Sequence, residues 1–156
     1  MKRWLQGLAA GVFAGMMLAS CGSQNEDIQV DINALAEELN TGITYQDPLA
    51  KLDDDMVGML YSVDGLVDAT VVYMGSGATA EEIAVFDCVD AATAKDKVKP
   101  IVEKHVQSQI EAFENYVPEE VAKLNEAVVR QAGEYVVLSV SNDKDGANEI
   151  IDKYLK

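Results

Sequence analysis

Apolar and polar positions along the 156-residue chain change their period several times, and each change marks an element. From Asp31, apolar residues recur at Ile32, Leu35, Ala36 and Leu39. That spacing is the stripe of an amphipathic helix. It predicts a helix over Asp31–Asn40, with Asp31 as N-cap and Gly42 as its stop. Pro48 breaks Thr41–Leu52 into an irregular connection. A second short helix is predicted to start near Asp53, with Met56, Met59, Leu60 and Val63 on its inner stripe and Gly65 ending it. β-Branched residues then crowd Val67–Met74, Gly75-Ser76-Gly77 reads as a turn, and Ile83–Val89 is the next apolar run. Together these form a predicted hairpin.

Helical spacing returns over Ala91–Tyr116, through Ala94, Val98, Ile101, Val102, Val106 and Phe113. Pro118 interrupts it and opens a short helix from its first position. Ala127–Gln131 and Tyr135–Ser141 make a second predicted hairpin around Ala132-Gly133. A last helix spans Asp143–Leu155, with Ile150, Ile151 and Tyr154 or Leu155 inward. A short echo links the halves: Glu82-Ile83-Ala84-Val85-Phe86 aligns with Glu134-Tyr135-Val136-Val137-Leu138, and an acidic residue opens a helix after each. The echo makes Ala84, Phe86 and Cys88 equivalent to Val136, Leu138 and Val140, all apolar. The other side, Ile83, Val85 and Asp87 against Tyr135, Val137 and Ser139, is mixed.

The fold class expected is α+β. It is an antiparallel four-stranded sheet from two β-hairpins (ββαββα), with helices packed on one face, preceded by two short N-terminal helices. The N-terminal helices are placed to cover part of the second face. If they leave it open, Ile83, Val85, Tyr135 and Val137 form a candidate partner surface.

The start of the chain is organised differently. Lys2 and Arg3 precede an apolar run from Leu5 to Leu18, followed by Leu18-Ala19-Ser20-Cys21. The run is shorter than the ~20 residues of a spanning helix. Its order of charged, apolar and small residues is that of a secretory leader. Gly7, Gly11 and Gly15 form a ladder that packs membrane helices, but small residues are equally at home in a leader. The Leu18–Cys21 stretch resembles the lipobox of bacterial lipoproteins. The resemblance implies cleavage before Cys21, lipidation of its thiol, and a domain held on the extracytoplasmic face of the cell membrane. Residues 1–20 are then the signal peptide, 21–30 a polar tether and 31–156 a single α+β domain. Gly22 carries no acidic signal for inner-membrane retention.

Composition narrows the partners. The formal net charge is −15, and losing Lys2 and Arg3 with the leader deepens it by two units. Nucleic acid and anionic headgroups repel such a domain, so the lipid has to hold it to the membrane. With Cys21 taken by lipid, Cys88 has no intramolecular partner and no disulfide is expected. The only tryptophan, Trp4, leaves with the leader, and a sugar-binding surface built on tryptophan stacking leaves with it.

Three segments carry a family likeness. They are Ala80-Glu81-Glu82-Ile83-Ala84-Val85-Phe86 before the long helix, Phe113-Glu114-Asn115-Tyr116-Val117-Pro118-Glu119, and the run from Asn125-Glu126-Ala127-Val128-Val129 through Gly133-Glu134-Tyr135-Val136 to Val140-Ser141-Asn142-Asp143. In this order they resemble a family of small bacterial lipoproteins catalogued only as a domain of unknown function, DUF4358, over roughly Ile32 to Leu155. The resemblance implies an extracytoplasmic lipoprotein and carries no activity or site residue with it.

Candidate chemistry is sparse. In Ser141–Asp152, Asp143, Asp145, Gly146 and Asp152 fall at calcium-loop positions three, five, six and twelve. Ser141 at position one, Asn148 at position eight and a preceding strand depart from that pattern, and a helix start explains the same acids. Asp53-Asp54-Asp55 likewise fits a cap with dipole complementation. His105 is the only histidine and reads as a packing residue, since zinc wants about four ligands. Cys88 and His105 are the residue types of a nucleophile and base, but Cys88 falls on the core side of its strand. No nucleophile elbow, zinc helix, phosphate loop or dinucleotide fingerprint occurs. The expected role is a non-catalytic binding or interaction module with no cofactor and an envelope or extracellular protein partner. The alternatives are a cell-envelope enzyme or a cation-binding, sensing domain.

Overall fold

The computed structural model describes residues 28–156. The leader, the lipobox with Cys21 and the start of the tether lie outside the described residues. Ile28 and Val30, assigned to the tether, already pack on the domain. The strands are β1 (Ala50–Lys51), β2 (Val67–Met74), β3 (Glu82–Cys88), β4 (Val128–Ala132) and β5 (Tyr135–Val140). They form one antiparallel sheet in the order β1-β2-β3-β5-β4. The two expected hairpins are both present, and their second strands pair at the centre. The fifth strand escapes the sequence pattern because it is two residues long and follows Pro48. It adds Ala50 opposite Met74 and Lys51 opposite Tyr73. The β4–β5 turn is Gly133-Glu134, where Gly133 supplies the positive φ of +54° that a two-residue hairpin needs.

The helices are α1 (Ile32–Gly42), α2 (Asp54–Tyr61), α3 (Ala91–Thr93), α4 (Lys99–Glu114), α5 (Glu119–Asn125) and α6 (Lys144–Tyr154). Asp31, Asp53, Asp90 and Asp143 cap four of them through side-chain bonds to backbone N–H groups. The predicted long helix is continuous from α3 to α4 through a π-helical turn, Ala94–Val98, in which the Lys99 N–H donates to the Ala94 carbonyl. Pro100 accounts for it. Proline has no N–H to donate, and its ring crowds the carbonyl one turn back. A wider turn relieves both.

The expectation of helices on one face is overturned. Val72, Ala84, Phe86, Cys88, Val136, Leu138 and Val140 pack under α2, α4 and α5, through Val57, Tyr61, Val102 and Leu124. Val71, Ile83, Val85, Tyr135 and Val137 pack under α1 and α6, through Leu35, Leu39, Ile150 and Ile151. The result is a three-layer α/sheet/α arrangement. The echo between hairpins holds for the strands and fails at the helices. The cap Asp90 stands two residues after Cys88, whereas Asp143 stands three after Val140. In extended chain one extra residue reverses the face, and α6 lies opposite α4.

The candidate partner surface is corrected by the same observation. Ile83, Val85 and Val137 are fully buried, and Tyr135 is nearly so. The Tyr135 hydroxyl accepts a bond from the Val30 N–H at 3.3 Å. The inner stripe of α2 also differs from the expected one. Val57 and Tyr61 face the core, while Met56, Leu60 and especially Met59, 76% exposed, face water. Tyr61 sets this rotation, because its ring packs edge-on against Phe86 at 5.0 Å.

A substitution on the second face therefore reads out folding. Val137→Ser removes buried methyls and places a hydroxyl in an apolar layer, an expected loss of about 2–4 kcal/mol. Urea unfolding of the variant measures it; an unchanged midpoint would mean that α1 and α6 leave this face open.

Candidate functional site

Two neighbouring carboxylates dominate the end of the sheet where β3 begins. Glu81 and Glu82 are both buried, 1% and 2% exposed. Burying ionised groups costs several kcal/mol each unless they are paired and hydrogen-bonded, so each needs a dedicated set of partners. Successive side chains of an extended chain point opposite ways, and the two acids accordingly have separate sets.

Glu82 points under α2 and α4. It accepts a hydrogen bond from the Tyr61 hydroxyl, and His105 Nε2 lies 2.9 Å from its Oε2. The Tyr61 and His105 rings meet at 4.4 Å. Burial pushes the Tyr61 hydroxyl well above its ordinary range, and the charge and bond of Glu82 add to this. Tyr61 therefore stays protonated and remains a donor. A pocket of about 240 Å³ borders the cluster, lined by Leu60, Ser62, Ile101, Lys104 and Ser108 together with Tyr61 and His105. Ser62 ends α2 in a left-handed conformation, φ 52°.

Glu81 points toward the 46–47 loop. Burial raises its carboxyl, but the backbone N–H groups of Asp47 and Gln46 and the Lys123 ammonium outweigh that and hold it below the usual range. Lys123 Nζ lies 3.2 Å from Glu81, 2.9 Å from Glu120 and 3.1 Å from Gln46 Oε1. Glu120 in turn accepts the Ala80 N–H at 2.8 Å. The network ties α5 to the β2–β3 connection and to the loop before β1.

The catalytic pairing considered from sequence does not form. His105 is committed to Glu82, at the opposite end of β3 from Cys88, about 20 Å away at ~3.3 Å per residue. Burial, with the nearby carboxylates of Asp87, Asp90, Glu134 and Asp68, pushes the Cys88 thiol up to about 12. The calcium-loop residues are also dispersed. Asp143 caps α6 through the Gly146 N–H at 2.9 Å, and Asp152 pairs with Arg130 at 2.8 Å. Asp143 and Asp145 line a surface depression with Glu126, Lys123 and Lys144, where the Lys144 ammonium already lies 2.6 Å from Glu126. Asp53 caps α2, and Asp54 and Asp55 point into water from its first turn. Among the described residues no three His, Cys, Asp or Glu side chains gather as a metal site.

A second pocket, about 290 Å³, opens between the β2–β3 connection and the end of α4. Met74, Ala80, Gln109, Ala112, Phe113 and Tyr116 line it. Tyr116 is 71% exposed. In the sequence Phe113 reads as a core residue, Tyr116 as a helix end and both as part of a family-like segment, with nothing that marks a pocket. Glu81 and Glu82 had a signal: two acids opening an unbroken apolar run are buried with partners or break the strand.

Two outcomes test the buried network. Lys123→Met strands two carboxylates, with an expected loss of about 3–5 kcal/mol. Glu81 has a lowered value in the folded state, so its contribution is complete above the unfolded value of ~4.3 and is lost as pH falls through the lower folded one. Denaturant midpoints from pH 6 downward should fall less steeply in Glu81→Gln than in the parent. Parallel profiles would show that Glu81 carries no such linkage.

The match to known families covers most of the structure just described. Residues 43–141 match the family described as Domain of unknown function (DUF4358), a segment holding all five strands and α2 to α5, with α1 and α6 outside it. No curated protein and no solved structure gives a significant match. The chain belongs to the DUF4358 family, and the matched segment is the one that contains the whole sheet together with Glu81 and Glu82.

Proposed function

We propose that this chain is a lipid-anchored module on the extracytoplasmic face of the membrane, held through Cys21, that binds a partner and performs no chemistry. The supporting observation is the placement of the 290 Å³ pocket. The described chain begins at Ile28 and Val30, against Tyr135. Tyr135 pairs with Asp87, whereas the pocket lies beyond the other end of the same strands, past Met74 and Glu82. A tether attached at the first end presents the pocket away from the anchored surface. No helix among the described residues is long and apolar enough to cross a membrane; the attachment proposed is the lipid on Cys21.

A second reading, a cell-envelope enzyme, is favoured by His105 bordering a pocket with a carboxylate behind it. Turnover of ester or amide probes that disappears in His105→Gln would establish it.

The anchored reading has a direct test. Cys21→Ala should abolish radiolabelled palmitate incorporation and move the protein out of the membrane fraction. Continued labelling and membrane retention would overturn it. A photo-crosslinking residue at Tyr116 in native membranes should capture a partner; the same residue at the solvent-facing Met59 should not.

A further inference from the structure

We propose that the pocket between the β2–β3 connection and the end of α4 receives one large apolar side chain of a cationic polypeptide segment. This rests on the binding-module reading above and names the class of partner. Size is the first argument. At about 290 Å³, the pocket is at the lower edge of the ~300–1,000 Å³ of small-ligand sites. It suits a single side chain better than a cofactor. Its walls are mostly apolar, from Met74, Ala80, Ala112 and Phe113, with Thr79 and Gln109 as polar members. Tyr116 stands at its mouth with the ring 6.3 Å from Phe113 and most of its surface in water. An exposed aromatic beside an apolar cavity is the composition of an interface centre.

Charge supplies the second argument. The pocket is built from the stretches 74–80 and 109–116, and neither contains a lysine or arginine. The absence extends over residues 52–94 and 105–122. Glu111, Glu114 and Glu119 are exposed around the end of α4. The nearby Lys123 ammonium is buried and spent on Glu81 and Glu120. Lys104 lies more than a turn away, before Gln109 on the same helix. The rim is thus acidic in a chain of formal net charge −15. It repels nucleic acid, anionic lipid, an acidic peptide and a second copy of itself, and it attracts basic residues flanking an inserted side chain.

The probe is an end-blocked, fluorescein-labelled Lys-Lys-Trp-Lys-Lys peptide, titrated by anisotropy against the full lipidated chain in neutral detergent. Binding is expected, and it should weaken as salt is raised, because the rim charges are screened. Ala112→Trp fills the pocket from an exposed position, and Glu111→Lys with Glu114→Lys reverses the rim. Each is expected to weaken binding about tenfold or more, with thermal melts matching the parent as the control for folding. Tyr116→Ala provides an independent variant if either fails that control. Equal binding of the Glu-Glu-Trp-Glu-Glu or Lys-Lys-Ala-Lys-Lys peptide would overturn the proposal, as would full binding by Ala112→Trp. A Tyr116 crosslink to an acidic or neutral segment would overturn the cationic class and leave the binding module standing. Neither crosslink nor peptide binding would overturn both.

Discussion

Strands β3 and β5 run antiparallel from Glu82↔Val140 to Asp87↔Tyr135, and neither has a face in water. Every other element answers to that constraint. A strand pair buried on both sides needs two helical layers, so α2, α4 and α5 close one side while α1 and α6 close the other. Their outer neighbours β2 and β4 are only partly buried, as sheet margins are. The hairpins contribute by placing their second strands together. The pairing of residues about fifty positions apart closes the sheet, and the turns at Gly133 and Gly75–Gly77 only bring each strand back beside its neighbour.

The same constraint explains the polar chemistry at one end. Where β3 begins, the two-sided layer gives out, and the chain places carboxylates on both sides of the boundary. Glu82 is satisfied by an aromatic hydroxyl and a histidine, and Glu81 by two backbone N–H groups and a lysine. Replacing such groups by well-packed apolar residues is often neutral or stabilising. Their value to the fold is positional, since one network fixes α2 against α4 and the other fixes α5 against two loops. The pocket near Tyr116 sits beside this ordered end. One wall, Ala80, donates its N–H to Glu120, a member of the Glu81 network.

The sequence pattern carried most of the fold because the elements are locally consistent. Asp31, Asp53 and Asp143 cap where the apolar stripes begin, and Val67–Met74 is a strand by composition alone. What escaped it was set by tertiary contact. The face that α6 takes depends on one connecting residue, and the rotation of α2 depends on Tyr61 reaching Phe86 and Glu82. The strand Ala50–Lys51 exists only because Met74 and Tyr73 offer an edge. At the site, His105 was legible as an isolated residue while its partner was not, since Glu82 precedes it by 23 positions. Alternation also gave Ile83, Val85, Tyr135 and Val137 their shared face. It carried no information on what covers that face, and α1 and α6 cover it.

Helix α1 has a further consequence through its position in the chain. It follows directly after Ile28–Val30 and makes no strand pairing, so tension applied from the N-terminal side reaches it before any hydrogen-bond ladder. The load would peel α1 from the sheet one contact at a time, starting at the Val30–Tyr135 bond. The strands themselves would be spared, because their ladders are closed by residues 50–51 and 67–140, downstream of the pull. Under such a pull the second layer would open at α1 before the layer that holds Glu82 and the pocket near Tyr116 is loaded.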